Sequence, residues 1–130
     1  MKELIISKEL ISEVLNIKVE DIVSFKMFGY DLMYYEKALF RANCQGQVSK
    51  SRDSICKSIN IYEFAYKWCK EWAENKGYII FSKNKECLIY SIDEVYDVIE
   101  CLNQYEDYFE ANTEIESIVK ACNWILENIK

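Results

Sequence analysis

The sequence predicts an α+β fold, with antiparallel β-hairpins packed against helices in the order α-β-β-α-β-β-α-β-α around a central helix at 60–76. Two pairs of β-prone runs, each closed by a short turn, supply the hairpins. Segments with a 3.6-residue apolar period, opened by Ser, Asn or Thr caps, supply the helices. The 130 residues are 51% hydrophobic and 15% aromatic, with no proline and three glycines, which is enough apolar material for one packed domain. The natural division is an N-terminal helix–hairpin unit and loop at 1–57 and an α-β-β-(α)-β-α unit at 58–130, folded into one globule.

Element by element, "SKELISEVLN" reads as a short helix capped by Ser7, with Leu10, Ile11, Val14 and Leu15 inward and Asn16 in the left-handed ending position. "DIVSFKMF" and "DLMYYEKALF" flank Gly29-Tyr30 and form the first hairpin. Residues 41–57 lack a period and read as a polar loop. Asn60 caps the central helix, with Glu63 at the capping-box position, Ile59 and Phe64 as a staple, and Gly77 at its end. Ile61, Phe64, Ala65, Trp68, Cys69 and Trp72 share its broad inward face, widened by Tyr62, Tyr66 and Ala73.

"YIIFSKNKECLIY" is the second hairpin, turning at Lys83-Asn84-Lys85. Ser91 and Glu94 open an acidic helix at 92–103 whose inner stripe is Ile92, Val95, Ile99 and Leu102. "YEDYFEA" reads as one more strand. Thr113 and Glu116 box the start of the last helix, with Ile115, Ile118, Val119, Cys122, Leu126 and Ile129 inward. Trp124 falls on the opposite side of that helix, either covered by the N-terminal unit or exposed as a partner anchor.

Charge is divided along the chain. Residues 1–40 carry −2, residues 41–85 carry +5, and residues 86–119 hold ten acids and no base, within a total of −6. Charge kept only for solubility would mix the signs. Asp93, Asp97 and Glu100 share one helical arc at spacings where like charges cost a few tenths of a kcal/mol per pair. Glu106, Asp107 and Glu110 extend the negative surface. The two readings are a solvated face and a docking surface for a basic partner.

Several chemistries find no support. Without histidine the chain lacks the commonest general base and most zinc ligand sets, and no phosphate-cradling glycine motif is present. The acid-rich runs do not follow the alternating calcium-loop pattern. The six cysteines, at 44, 56, 69, 87, 101 and 122, form no CxxC pair and read as reduced core residues. The expectation is therefore a non-enzyme without metal or cofactor. With no membrane-length apolar run or signal sequence, the expected location is cytoplasmic.

Two resemblances add to this reading. Setting the acidic helix aside, residues 60–130 run helix, strand, strand, strand, helix, which is similar to the double-stranded-RNA-binding domain. That family places a lysine cluster at the start of its last helix, where this chain has Thr113-Glu114-Ile115-Glu116-Ser117. The resemblance therefore implies the scaffold without its RNA grip. "INIYEFAYKWCKEWAENKGY" and "FEANTEIESIVKACNWIL" resemble segments of small uncharacterised bacteriophage and prophage proteins, and imply a location in an infected or lysogenic bacterial cell.

The leading expectation is a non-enzymatic, phage-encoded binding protein. Its acidic surface, with Asp93, Asp97, Glu100, Glu106, Asp107, Glu110 and Trp124, would occupy a basic, nucleic-acid-handling site on a host protein, as an inhibitor of a CRISPR or other defence nuclease would. The alternatives are a nucleic-acid-binding regulator using the basic 41–57 loop (Arg41, Lys50, Arg52, Lys57), a homodimer pairing that loop with the acidic region, and a small carboxylate-dependent hydrolase.

Overall fold

Two three-stranded antiparallel sheets and three principal helices make up the computed structural model, which describes residues 6–37, 41–42, 48–49, 54–92 and 106–129. Helix α1 (Lys8–Leu15) starts where the Ser7 hydroxyl accepts the Leu10 amide at 3.1 Å, and ends on Asn16 at φ 55°. Leu10 and Ile11 are fully buried on its inner side. A 3₁₀ turn, Val19–Asp21, leads into β1 (Ile22–Phe28). Gly29, at φ 63°, turns the chain into β2 (Asp31–Lys37), as the hairpin reading requires.

Short strands β3 (Arg41–Ala42) and β4 (Val48–Ser49) pair with each other, and β5 (Ser54–Asn60) pairs with β2 along its whole length, from Asp31↔Asn60 to Lys37↔Ser54. The predicted loop therefore ends in a strand and holds two short ones, and the order gains three strands, β3 to β5, before the central helix. The division between 57 and 58 falls inside β5. A period-2 pattern, with Ile55, Lys57 and Ile59 alternating with Ser54, Cys56, Ser58 and Asn60, marks the strand. The pattern is weak because only Leu32 and Ile59 at the Asn60 end of the β2–β5 ladder meet the core, while Ile55 is exposed.

The central helix α2 comprises Ile61–Glu63, a π-helical stretch at Phe64–Cys69, and Lys70–Asn75. Asn60 caps it by accepting the amides of Tyr62 at 2.9 Å and Glu63 at 3.4 Å, and Gly77 at φ 93° follows it. The wider i→i+5 turn alters the predicted inward face. Buried positions run Ile61, Phe64, Ala65, Cys69, Trp72 and Ala73, whereas Trp68, Tyr62 and Tyr66 are exposed. A regular α-helix would hold Trp68 closer to the centre of that face than Cys69; the π turn exchanges them.

Strands β6 (Tyr78–Lys83), β7 (Glu86–Ser91) and β8 (Asp107–Glu110) form the second sheet in that spatial order. Asn84 takes the left-handed turn position between β6 and β7 at φ 56°. Helix α3 (Glu114–Asn128) closes the described chain. The Thr113 hydroxyl accepts the Glu116 amide, and the Glu116 carboxylate accepts the Asn112 amide, a reciprocal cap. Ile115, Ile118, Val119, Cys122 and Leu126 are buried as the stripe predicts, but Ile129 at the helix end is exposed. Beyond Ile92, the predicted helix at 92–103, with Asp93, Asp97 and Glu100, lies outside the described residues.

Buried side chains of α1, β1, β2, α2, the second sheet and α3 join in one hydrophobic cluster. Ser117, the buried polar member of α3, donates to the Glu114 carbonyl at 2.6 Å and stands 3.0 Å from the Cys87 sulfur. The described residues therefore form an α+β molecule with one shared core, in which α2 and α3 cover a single face of the second sheet. Among the described residues, no helix is long and apolar enough to cross a membrane.

Candidate functional site

Strand alternation decides which acids of the 86–119 stretch can act together. In the second sheet Ile80, Cys87 and Ile89 point into the core. The residues between them line the outer face in two cross-strand rows. Phe81, Leu88 and Tyr108 face one another in the first, and Lys83, Glu86 and Glu110 in the second. Phe81 is 57% and Tyr108 38% exposed, so the apolar row meets solvent beside the charged one. The Phe81 ring meets Tyr90 edge-on at 5.2 Å, and a concavity of about 430 Å3 lies against Phe81, Leu88, Tyr90 and Glu86.

Glu86 and Glu110 are direct cross-strand partners, an arrangement that costs sheet stability when both are ionised. The Tyr108 hydroxyl donates to Glu110 Oε1 at 2.5 Å. That hydrogen bond, followed by burial and the nearby Glu86 carboxylate, holds the phenol well above its ordinary pKa. Lys83 lies opposite Glu86 in the ladder, and Lys120 Nζ donates to the Glu110 carbonyl at 2.9 Å. The acidic row thus has ammonium groups at its margin that the linear charge count does not reveal. The ion pairs found among the described residues, Lys57–Glu36 at 3.0 Å and Lys76–Glu13 at 3.7 Å, lie elsewhere.

The predicted partner-binding residues separate in space. Glu110 belongs to the outer face. Asp107 pairs with the inward residue Ile89 and so points the other way, half-buried, its carboxylate accepting the Tyr108 amide at 2.8 Å. Glu106 precedes the strand, and its amide donates to the Ile89 carbonyl at 2.6 Å. Trp124 is half-buried, and its ring meets Tyr78 in a T-shaped contact at 5.7 Å. Because Tyr78 opens β6, Trp124 packs along the sheet edge opposite β8. The aromatic partner of Trp124 is therefore in the second sheet. Asp93, Asp97 and Glu100 lie outside the described residues.

The basic candidates separate as well. Lys57 sits on β5 and is held by Glu36. Arg41 contributes backbone to the β3–β4 ladder, and Lys50 and Arg52 lie outside the described residues. Cys56 is exposed, while Cys69, Cys87 and Cys122 are free thiols inside the core; Cys44 and Cys101 lie outside the described residues. Burial raises the Cys87 thiol to about 11, only partly offset by its hydrogen bond to Ser117. Among the described residues, no group of three Cys, Asp or Glu side chains is arranged to hold a metal ion.

The sequence reading missed Tyr108 and the cross-strand meaning of Glu86. The signal was the alternation in "EDYFE", which sends Asp107 and Phe109 one way and Tyr108 and Glu110 the other. Comparison with family models, curated proteins and solved structures finds no match to this chain.

Proposed function

We propose that the protein is a non-enzymatic binding module that docks a basic protein surface through the outer face of its second sheet. The observation that carries this reading is the direct opposition of Glu86 and Glu110, with the Tyr108 hydroxyl bonded to Glu110 and exposed Phe81 in the next row. Opposed like charges weaken an isolated sheet, and an arriving lysine or arginine turns that cost into attraction. The adjoining aromatic groups supply apolar contact area of the kind that anchors interfaces. In its finest form this reading is that of an inhibitor occupying a nucleic-acid-binding groove of a nuclease, whose basic lining matches such a face.

The test replaces Tyr108 with a photo-crosslinking amino acid and captures bound protein from bacterial lysate at low and high salt. The proposal expects cross-links to a lysine- and arginine-rich surface, lost as salt screens the contact and lost in the Glu86→Lys/Glu110→Lys variant. Cross-links to an uncharged surface, insensitive to salt, would overturn it.

A further inference from the structure

The cleft between α1 and α2 holds features that the sheet face does not use. It is a concavity of about 360 Å3 lined by Glu13, Val14, Asn16, Trp68, Glu71, Trp72, Asn75 and Lys76. That volume lies in the range of small-ligand sites. Its walls combine indole surface with carboxylates and amides. Trp72 is buried and donates through Nε1 to Glu13 Oε2 at 3.3 Å, and Lys76 Nζ stands 3.7 Å from the same oxygen. The lone ammonium of the lining is therefore already engaged by Glu13. Glu71 is exposed and adds a second carboxylate, and Asn16 and Asn75 add amide carbonyls.

The π turn is the second, independent observation. Phe64–Cys69 winds with the wider hydrogen-bond spacing, takes Cys69 fully into the core and leaves Trp68 37% exposed at the cleft. Such turns occur mostly as single interruptions of α-helices, frequently at functional sites. The Trp68 ring already attracts a cation, since Lys67 Nζ stands 5.9 Å from its centroid. An acceptor-rich cleft with an indole wall and a net negative lining suits a planar cation with many donors. A guanidinium has five N–H groups and a flat face that stacks on indole, whereas an ammonium has neither the fork nor the face.

We infer that the α1–α2 cleft is a recognition pocket for an arginine side chain, stacked on Trp68 and hydrogen-bonded by Glu71. It rests on the proposed docking function only for the origin of the arginine, which a basic partner would present; the pocket's chemistry stands by itself. Lys67 is then an internal competitor for the ring.

The test titrates the full-length protein with N-acetyl-arginine methylamide, following tryptophan fluorescence and calorimetry, with N-acetyl-lysine methylamide as control. Saturable binding of the arginine probe is expected, weakened roughly tenfold by Glu71→Gln through loss of a charge-assisted bond. Trp68→Leu is expected to weaken it similarly, and Lys67→Ala to tighten it. Thermal melting of each variant verifies folding, and the exposure of all three residues makes it safe to expect. Absence of saturable binding, equal binding of the lysine probe, or indifference to Glu71→Gln and Lys67→Ala would overturn the inference. None of these results bears on the sheet face, which the Glu86→Lys/Glu110→Lys variant tests separately.

Discussion

Tyr108 and Cys87 show how far a single residue's chemistry depends on its neighbours across the sheet. The Tyr108 phenol is held neutral chiefly by its bond to Glu110, then by burial and by nearby Glu86. Glu110→Gln keeps an acceptor but removes a charge, so the phenol pKa should fall towards its ordinary value of about 10. NMR of tyrosine labelled at the ring Cζ, followed through a pH titration, reads that shift directly; an unchanged Tyr108 resonance profile would contradict the geometry. Cys87 carries a stability prediction. Its folded pKa lies above its unfolded value, so its contribution is complete below pH 9 and is lost as pH rises towards 11. Melting temperature should therefore decline across that window, and Cys87→Ala should decline less steeply. Thiol labelling of the native protein should modify Cys56 readily and leave Cys69, Cys87 and Cys122 protected until unfolding.

At the scale of elements, the caps were legible because they are local chemistry. Ser7, Asn60 and Thr113 each accept the amide two or three residues on, and Asn16, Gly29, Gly77 and Asn84 each take positive φ. Two features were not legible, for different physical reasons. Strand β5 owes its conformation to pairing with β2, a tertiary contact that its short alternation barely signals. The π turn depends on how Cys69 and Trp72 fit against their neighbours, and ordinary helical periodicity cannot report an inserted wide turn. The second gives a mutational contrast. Trp72→Ala removes a buried indole and should cost about 3–5 kcal/mol. Trp68→Ala should cost no more than about 1 kcal/mol, because its ring already meets solvent. Denaturant melts of both variants decide it; equal large costs would restore the regular helix and its buried Trp68.

For the whole molecule, the α+β class followed from hairpins, caps and apolar stripes, but the grouping of the acids did not. A linear count places ten acids together in 86–119, whereas the fold sends Glu110 and Asp107 to opposite faces and brings Lys83 and Lys120 to the margin. The same distribution argues against nucleic acid as a partner. The last helix begins with Glu114 and Glu116, which would repel phosphate, and the net charge is −6. Anisotropy titrations with duplex RNA and single-stranded DNA at physiological salt should show no sub-micromolar binding.

The central claim is that location, and not net charge alone, makes the outer face of the second sheet a dock for basic surfaces. Its most direct test compares Glu86→Lys/Glu110→Lys with Glu20→Lys/Glu74→Lys, two variants of equal net charge altered on different exposed acids. A fluorescein-labelled decalysine peptide serves as the basic surface, because its ammonium groups leave the arginine pocket out of play. Anisotropy at low salt should show binding lost in the first variant and largely kept in the second, with both melting near the parent temperature. Equal weakening in the two would mean that the peptide senses only the total charge, and the docking face would be contradicted.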